Sequence, residues 1–195
     1  MTHSPIWLRL SLLAALLTAV LHVAVLLTSD LDPVVSPISE LSLQRFGPWQ
    51  TLGLLLFGLA HVALARGLAG LDPSALWTYA RGLLLASGFV LAYIAWDFAP
   101  LSAGAVASTS DPLWIVATLT GLAMGALQPG LARIAPRVSI FSAICLGLWL
   151  WLVPTILLVT DAWLGAYERI VGTVYVTWIV GISLALAEGS GRRQT

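Results

Sequence analysis

Six long apolar stretches, separated by short polar segments, dominate the pattern along this chain. They cover about residues 6–27, 49–65, 74–96, 113–131, 138–160 and 170–187. A helix needs about 20 mostly apolar residues to cross the hydrocarbon core of a bilayer, and each stretch is close to that length. The pattern therefore predicts an all-α polytopic membrane protein, one domain built as a bundle of six transmembrane helices.

The composition excludes a water-soluble domain and several chemistries. Of the 195 residues, 59% are hydrophobic and 9% are charged, whereas soluble domains average about 25% charged residues. All nine basic residues are arginines, so lysine nucleophiles and Schiff bases are excluded. The single cysteine, Cys145, has no partner for an internal disulfide and is expected to pack inertly. We predict no cofactor.

The arginines predict the orientation of the bundle. Seven of them fall on the side of the N-terminus and two on the opposite side, while seven of the nine acids fall on that opposite side. Because cytoplasmic segments collect basic residues, both termini are expected in the cytoplasm of a prokaryotic cell with the protein in its inner membrane. We expect the first stretch to be a retained helix, because its apolar run is longer than that of a usual signal peptide.

The two longer loops both lie on the predicted outer side. In the first, Ser36 suits a helix N-cap and Pro37 a first helical position, so a short interfacial helix carrying Ile38 and Leu41 is expected, capped by Gly47. The second, Leu101 to Ser110, consists of small residues and is predicted to be a mobile flap. Sites tend to be built where long loops gather on one face.

A family resemblance rests on the first outer loop, which reads Asp32-Pro33 and then Ser36-Pro37-Ile38-Ser39-Glu40-Leu41. It resembles the domain-of-unknown-function 998 family of multi-pass membrane proteins, and the likeness extends to Trp96-Asp97 and to Tyr167-Glu168-Arg169. The resemblance implies a six-helix prokaryotic membrane protein with no settled biochemical role. Many relatives also carry a histidine in the fourth helix. This chain has none between Asp111 and Gln128, which disfavours a metal enzyme.

Charges at the outer membrane boundary form the first candidate site. Glu168 and Arg169 are neighbours and point about 100° apart on a helix, so each needs another partner. We expect Arg169 to pair with Glu40 or Asp97. The bland interpretation is a salt bridge that ties the loop to the bundle. The functional alternative is an outward-facing polar layer that binds a ligand and also includes Ser39.

The weaker candidates for catalysis or metal binding are Asp32, Glu40, Asp97 and His22. A Ser-His-Asp triad using His22 has no G-x-S-x-G motif to support it. A zinc site joining His22 and His61 is disfavoured because the two lie at different depths, and interhelical hydrogen bonds are the simpler expectation. A hard cation such as Ca²⁺ bound by the outer acids matches no known loop motif. We therefore predict no metal site.

The remaining alternatives concern partners. Gly121 and Gly125 form a G-x-x-x-G face that suits either packing within the bundle or contact with a second copy or another membrane protein. The lipid bilayer is the expected surrounding, and no strong bulk charge argues for nucleic acid.

The functional hypotheses are therefore a binding or structural protein with an acidic outer layer, an accessory subunit of a larger membrane complex, and a membrane-embedded hydrolase or lipid-processing enzyme. A small transporter is disfavoured because the helices contain few ionisable groups.

Overall fold

A computed structural model describes residues 5–98 and 110–191, and six long helices account for most of them. They are α1 (Pro5–Thr28), α2 (Gly47–Gly67), α3 (Ala75–Phe98), α4 (Ser110–Ile134), α5 (Pro136–Thr155) and α6 (Leu164–Gly191). All six are long and apolar enough to span a membrane. The predicted all-α bundle of six transmembrane helices is confirmed.

The helices form a closed ring. Each packs against the next along the chain, and α1 packs against α6, which closes the ring. Short connections make neighbours antiparallel, and Ala135 alone separates α4 from α5. We call the end of the bundle where α1 begins the inner end and the opposite end, with the first long loop, the outer end.

Two span boundaries differ from the sequence prediction. α6 begins at Leu164, six residues before the predicted start, and α5 ends at Thr155, followed by 3₁₀ turns at Ile156–Leu158 and Asp161–Trp163. The early start of α6 brings Glu168 and Arg169 inside the helix. The predicted flap of the second loop lies outside the described residues, except that Ser110 begins α4.

Large apolar side chains fill the inner half of the bundle. Those that are completely buried come from the inner halves of four helices: Leu64, Leu68, Trp77, Leu84, Met124, Leu127, Leu131, Trp178, Ile179 and Ile182. Lipid tails are as apolar as leucine, so dispersion contacts between closely packed side chains stabilise such a core.

Buried polar groups of the inner half are bonded across helices. The Ser183 hydroxyl donates to Ser11 at 3.0 Å, and the Ser11 hydroxyl donates to the Ala60 carbonyl at 2.8 Å, which links α6, α1 and α2. Trp178 Nε1 and Gln128 Nε2 both donate to the Ser142 hydroxyl, which links α6 and α4 to α5. This half is therefore sealed by both packing and hydrogen bonds.

The first long loop closes over the outer end. The short helix predicted there is present as a 3₁₀ helix, Ile38–Leu43, which contacts α2 and α6, and its Leu41 is 0% exposed. Gly47 does not cap this helix but begins α2. A Cβ at Gly47 would overlap the Ser42 carbonyl, and a Cβ at Gly165 would overlap the Ser36 carbonyl. Glycine at these two positions lets the loop approach the helix ends closely. We call residues 29–46 the roof.

Candidate functional site: a chamber under the roof

The outer half of the bundle contains a cavity of about 650 Å³. Residues of all six helices and of the roof line it. Most of its wall is apolar and includes Leu26, Leu54, Phe57, Leu91 and Val153. We call this cavity the outer chamber. Its volume lies within the range of about 300–1,000 Å³ that is typical of small-molecule sites.

The outer chamber reaches the lipid-facing surface between α1 and α6. Its lining includes Val23 of α1, which is 50% exposed, and Thr173 and Thr177 of α6, which are also exposed. On α6 the lining continues from Gly172 and Val176 around the helix to these threonines, on the side of Ser183, which bonds α1. The chamber therefore has a lateral opening at membrane depth.

Arg169 joins α6 to the roof. Its Nη1 lies 2.9 Å from the carbonyl oxygens of Pro33 and Ser36 and 2.8 Å from that of Gly165. The neighbouring Glu168 accepts the Ile38 backbone N–H at 2.7 Å, and the Ala166 N–H donates to the Val34 carbonyl at 2.9 Å. These bonds hold the roof against the start of α6.

His22 faces the outer chamber from α1. Its Nδ1 lies 3.3 Å from Oε1 of Gln50 on α2. Because Oε1 is an acceptor only, Nδ1 carries the proton, and Nε2 presents its lone pair. His22 and Gln50 both line the chamber.

The unpartnered polar atoms of the described residues gather in this one place. Four buried side-chain atoms in residues 5–98 and 110–191 have no hydrogen-bond partner: Nε2 of His22, Oγ of Ser42, and Nε and Nη2 of Arg169. All three residues line the outer chamber. Buried polar groups without a partner are costly and uncommon in native structures. Their concentration at one end of an apolar cavity makes this end the candidate site.

A chain of hydrogen bonds forms the floor of the outer chamber. The Tyr175 hydroxyl, on α6, bonds to His61 Nε2 of α2 and to Thr120 of α4, and Thr120 lies 3.4 Å from the Ser87 hydroxyl of α3. His61 Nδ1 donates to the Phe57 carbonyl at 2.7 Å. Four helices are thus tied at mid-depth, and both nitrogens of His61 are occupied.

The structure brings together some of the predicted site residues. Ser39, Glu168, Arg169 and His22 all line the outer chamber. Glu40 is half-buried on the roof but is not part of the lining, and the Asp97 side chain lies outside the described residues. The expected pair between Arg169 and Glu40 is not formed among the described residues, where Nη1 of Arg169 bonds backbone carbonyls of the roof instead, and the alternative pair with Asp97 stays a prediction.

The other candidate residues make contacts that stabilise the fold. Asp32 is exposed and its Oδ1 accepts the Val34 N–H at 2.8 Å, which is an ordinary turn contact. Gly121 packs against Trp149 of α5, so this part of the glycine face serves contact within the bundle. Association with a second copy through Gly121 and Gly125 stays a prediction. Histidine hydrogen bonds between helices, expected from the sequence, are confirmed for His22 and His61.

No group of three or more metal-ligating side chains is present in the part of the chain that the structure describes. A zinc site that joins His22 to His61 would need a free nitrogen on His61, and neither is free. Two polar chamber residues that the sequence analysis missed are Gln50 and Tyr175. Tyr175 had a usable signal, because it lies seven residues after Glu168 and therefore on the same face of α6.

Comparisons with known proteins found no family model, no curated protein and no solved structure that matches the chain. The resemblance to the domain-of-unknown-function 998 family stays a prediction that rests on the loop residues quoted above. The residues of the outer chamber must therefore carry the functional argument.

Proposed function

We propose that this protein binds an amphipathic, lipid-like molecule in the outer chamber. The observation that carries the proposal is the coincidence of two features in one cavity. Its wall is largely apolar, and its roof end holds all the unpartnered buried polar side-chain atoms of the described residues. A ligand with an apolar chain and a polar head would match both. We further propose that the protein resides in a prokaryotic inner membrane with both termini in the cytoplasm, on the arginine distribution.

The lateral opening supports a ligand that comes from the bilayer. Val23, Thr173 and Thr177 line the outer chamber and are also exposed on the lipid-facing surface. A lipid chain could enter between α1 and α6 without leaving the hydrocarbon, and its head could slide beneath the roof. This route avoids transfer of the chain through water, which costs about 0.8 kcal/mol for each CH₂ group.

Native mass spectrometry of the purified protein tests this function. The probes are lauroyl lysophosphatidic acid, lauroyl lysophosphatidylcholine and monolaurin, which share a chain and differ in head group. We expect at least one of them to be retained at one molecule per protein. Ala19→Phe places a ring at the wall of the outer chamber and is expected to lower retention at least tenfold.

Gly147→Phe is the matched control, because nothing lies within 4 Å of a Cβ at Gly147 and the ring would face outward from α5. It should retain the probe as the wild-type protein does. Equal retention by Ala19→Phe and the wild type, or no retention of any probe, would contradict binding in this chamber.

One observation favours a second candidate, an enzyme that hydrolyses an ester of the bound molecule. Gln50 fixes the tautomer of His22, which lines the chamber, and leaves the lone pair of Nε2 without a partner. This is how a general base is oriented. His22 would take a proton from a water molecule as that water attacks the ester carbonyl, and would pass this proton to the alcohol that leaves when the acyl C–O bond breaks. Incubation with the lysolipids and detection of free laurate tests this, and no laurate above a His22→Gln control would contradict it.

A further inference from the structure

We infer that the head group in the outer chamber is an oxyanion, a carboxylate or a phosphate, held side-on by Arg169. This inference rests on the proposed binding function and adds the chemical class of the ligand. It follows from which atoms of the guanidinium group the protein uses and which it leaves unused.

The two edges of the Arg169 guanidinium have different surroundings. Nη1 is enclosed by the carbonyl oxygens of Pro33, Ser36 and Gly165. Nε and Nη2 are buried and have no partner. These two nitrogens lie on one edge of the planar group, and their N–H bonds point in parallel. That edge is the fork that binds two oxygens of a carboxylate or phosphate at once.

The carbonyls around Nη1 also fix the direction of this fork. A surface arginine loses side-chain entropy when it binds an anion, but Arg169 is already held in place by the roof and by its own helix. The fork is therefore preorganised, which raises affinity because little freedom is lost on binding.

Two further unpartnered atoms suit the same head group. The Ser42 hydroxyl can donate to a third oxygen of the anion, and Nε2 of His22 can accept a hydroxyl proton from the head. Both residues line the outer chamber with Arg169. The set holds more donors than acceptors, which favours an oxygen-rich anion over an ammonium group.

No acid whose side chain the structure describes bonds to Nε or Nη2 of Arg169. Glu168 lies about 100° around the helix from Arg169, and its Oε2 accepts the Ile38 N–H. Glu40 is not part of the chamber lining. The described residues form a single ion pair, Arg133 with Asp72, and it lies at the inner end. The fork of Arg169 is therefore available to a ligand.

A series of dodecyl compounds tests the head-group class in protein reconstituted in lipid nanodiscs. The probes are dodecyl phosphate, dodecanoate, dodecanol and dodecyltrimethylammonium, with inorganic phosphate as a competitor. We expect the two anions to bind about tenfold or more tighter than dodecanol or the ammonium compound, since hydrogen bonds to charged groups are strong when buried.

Inorganic phosphate distinguishes two sources of the anion. If it does not displace dodecyl phosphate at millimolar concentration, the ligand is a lipid whose chain contributes to binding. If it displaces dodecyl phosphate, a free anion also fits the fork. Both results support recognition of an oxyanion.

Variants separate the fork from the roof. Arg169→Lys keeps the charge but removes the fork, and it should reduce the preference for anions about tenfold. Ser42→Ala leaves every bond of the roof intact because Oγ of Ser42 has no partner in the protein, so weaker anion binding without a change in stability is expected. Thr28→Val is the control, because that hydroxyl is exposed, is not part of the chamber lining and donates to carbonyls of its own helix.

The outcomes distinguish the two proposals. If dodecanol and the ammonium compound bind as tightly as the anions, or if Arg169→Lys and Ser42→Ala leave the preference unchanged, the oxyanion inference is overturned and the binding function stands. If no dodecyl compound binds, both are overturned.

Discussion

The inner and outer halves of this bundle are built from the same apolar helices but are packed in opposite ways. In the inner half, Trp77, Met124 and Trp178 are completely buried, and serines bond across three helices. In the outer half, the same helices surround a cavity of about 650 Å³, and four buried polar atoms of its lining residues have no partner in the part of the chain that the structure describes. The hydrogen bonds of Tyr175 mark the boundary between the two halves.

The packed inner half provides stability, and the outer half contains the cavity that we propose as the binding site. A sealed half fixes the relative positions of the helices, so the other half can keep a cavity and unsatisfied donors without loss of the fold. Sites are commonly less stable than the scaffold that carries them. The comparison leads to four predictions, from the largest effect to the smallest.

Truncation of a leucine should cost far more in the inner half than at the chamber wall. Leu127→Ala removes a side chain that is 0% exposed, and the lost contacts should lower the free energy of unfolding by about 2–5 kcal/mol. Leu54→Ala removes a side chain that already borders the cavity and should cost about half as much or less. Unfolding in mixed micelles with increasing SDS measures both, and equal losses would contradict the comparison.

Enlargement of an alanine gives the reverse test within one helix. Ala123 of α4 is completely buried in the inner half, so Ala123→Leu should cost about 1–3 kcal/mol through overpacking. Ala117 lies six residues earlier and lines the outer chamber, where an added side chain has room. The same unfolding assay should show a change of less than about 1 kcal/mol for Ala117→Leu. A larger loss than for Ala123→Leu would show that the chamber does not hold that space.

The roof should open without loss of the bundle when its close contact with α6 is blocked. In Gly165→Ala the new methyl group overlaps the Ser36 carbonyl, so the roof must move away from Arg169. Backbone amides of residues 34–44 should then exchange hydrogen at least tenfold faster, while those of the inner half keep their rates. Gly82→Ala is the control, because nothing lies within 4 Å of a Cβ there. Unchanged hydrogen exchange at the roof in Gly165→Ala would contradict the claim that these contacts hold the roof against α6.

The smallest effect concerns pH at the inner end. The Ser74 backbone N–H, together with the Arg133 guanidinium at 2.6 Å, holds the pKa of Asp72 below its usual value. An acid with a lowered folded-state pKa contributes stability above its unfolded pKa, and the contribution disappears as the pH falls through the folded pKa. Thermal unfolding from pH 7 to pH 3 should therefore depend less on pH in Asp72→Asn than in the wild type. Identical pH profiles would contradict this role.

The sequence predicted the bundle well because the evidence for it is local. Each span carries enough apolar residues to be recognised alone, and Ser36-Pro37 predicted the short helix of the roof. The start of α6 was placed six residues late because Glu168 and Arg169 were treated as the end of a span. The structure shows that backbone groups of the roof bond Glu168 and Nη1 of Arg169 within the helix.

The candidate site was only partly predictable, because it depends on which helix faces meet. His22, Ser39, Glu168 and Arg169 stood out as polar residues in apolar surroundings. A single sequence does not show that Gln50 contacts His22, or that Ser42 and Arg169 line the same cavity. The partner of Arg169 was predicted to be an acid because charges usually pair in membranes. Backbone carbonyls of the roof have no signature in the side-chain pattern, so that pairing could not be found.

A density map of the protein in lipid nanodiscs would test the contrast between the halves most directly. We predict continuous density in the inner core and an elongated feature in the outer chamber, with its head beside Nε and Nη2 of Arg169 and its chain directed towards Phe57 and Leu91. A chamber collapsed onto its own side chains, with those two nitrogens bonded to other protein groups, would contradict the account.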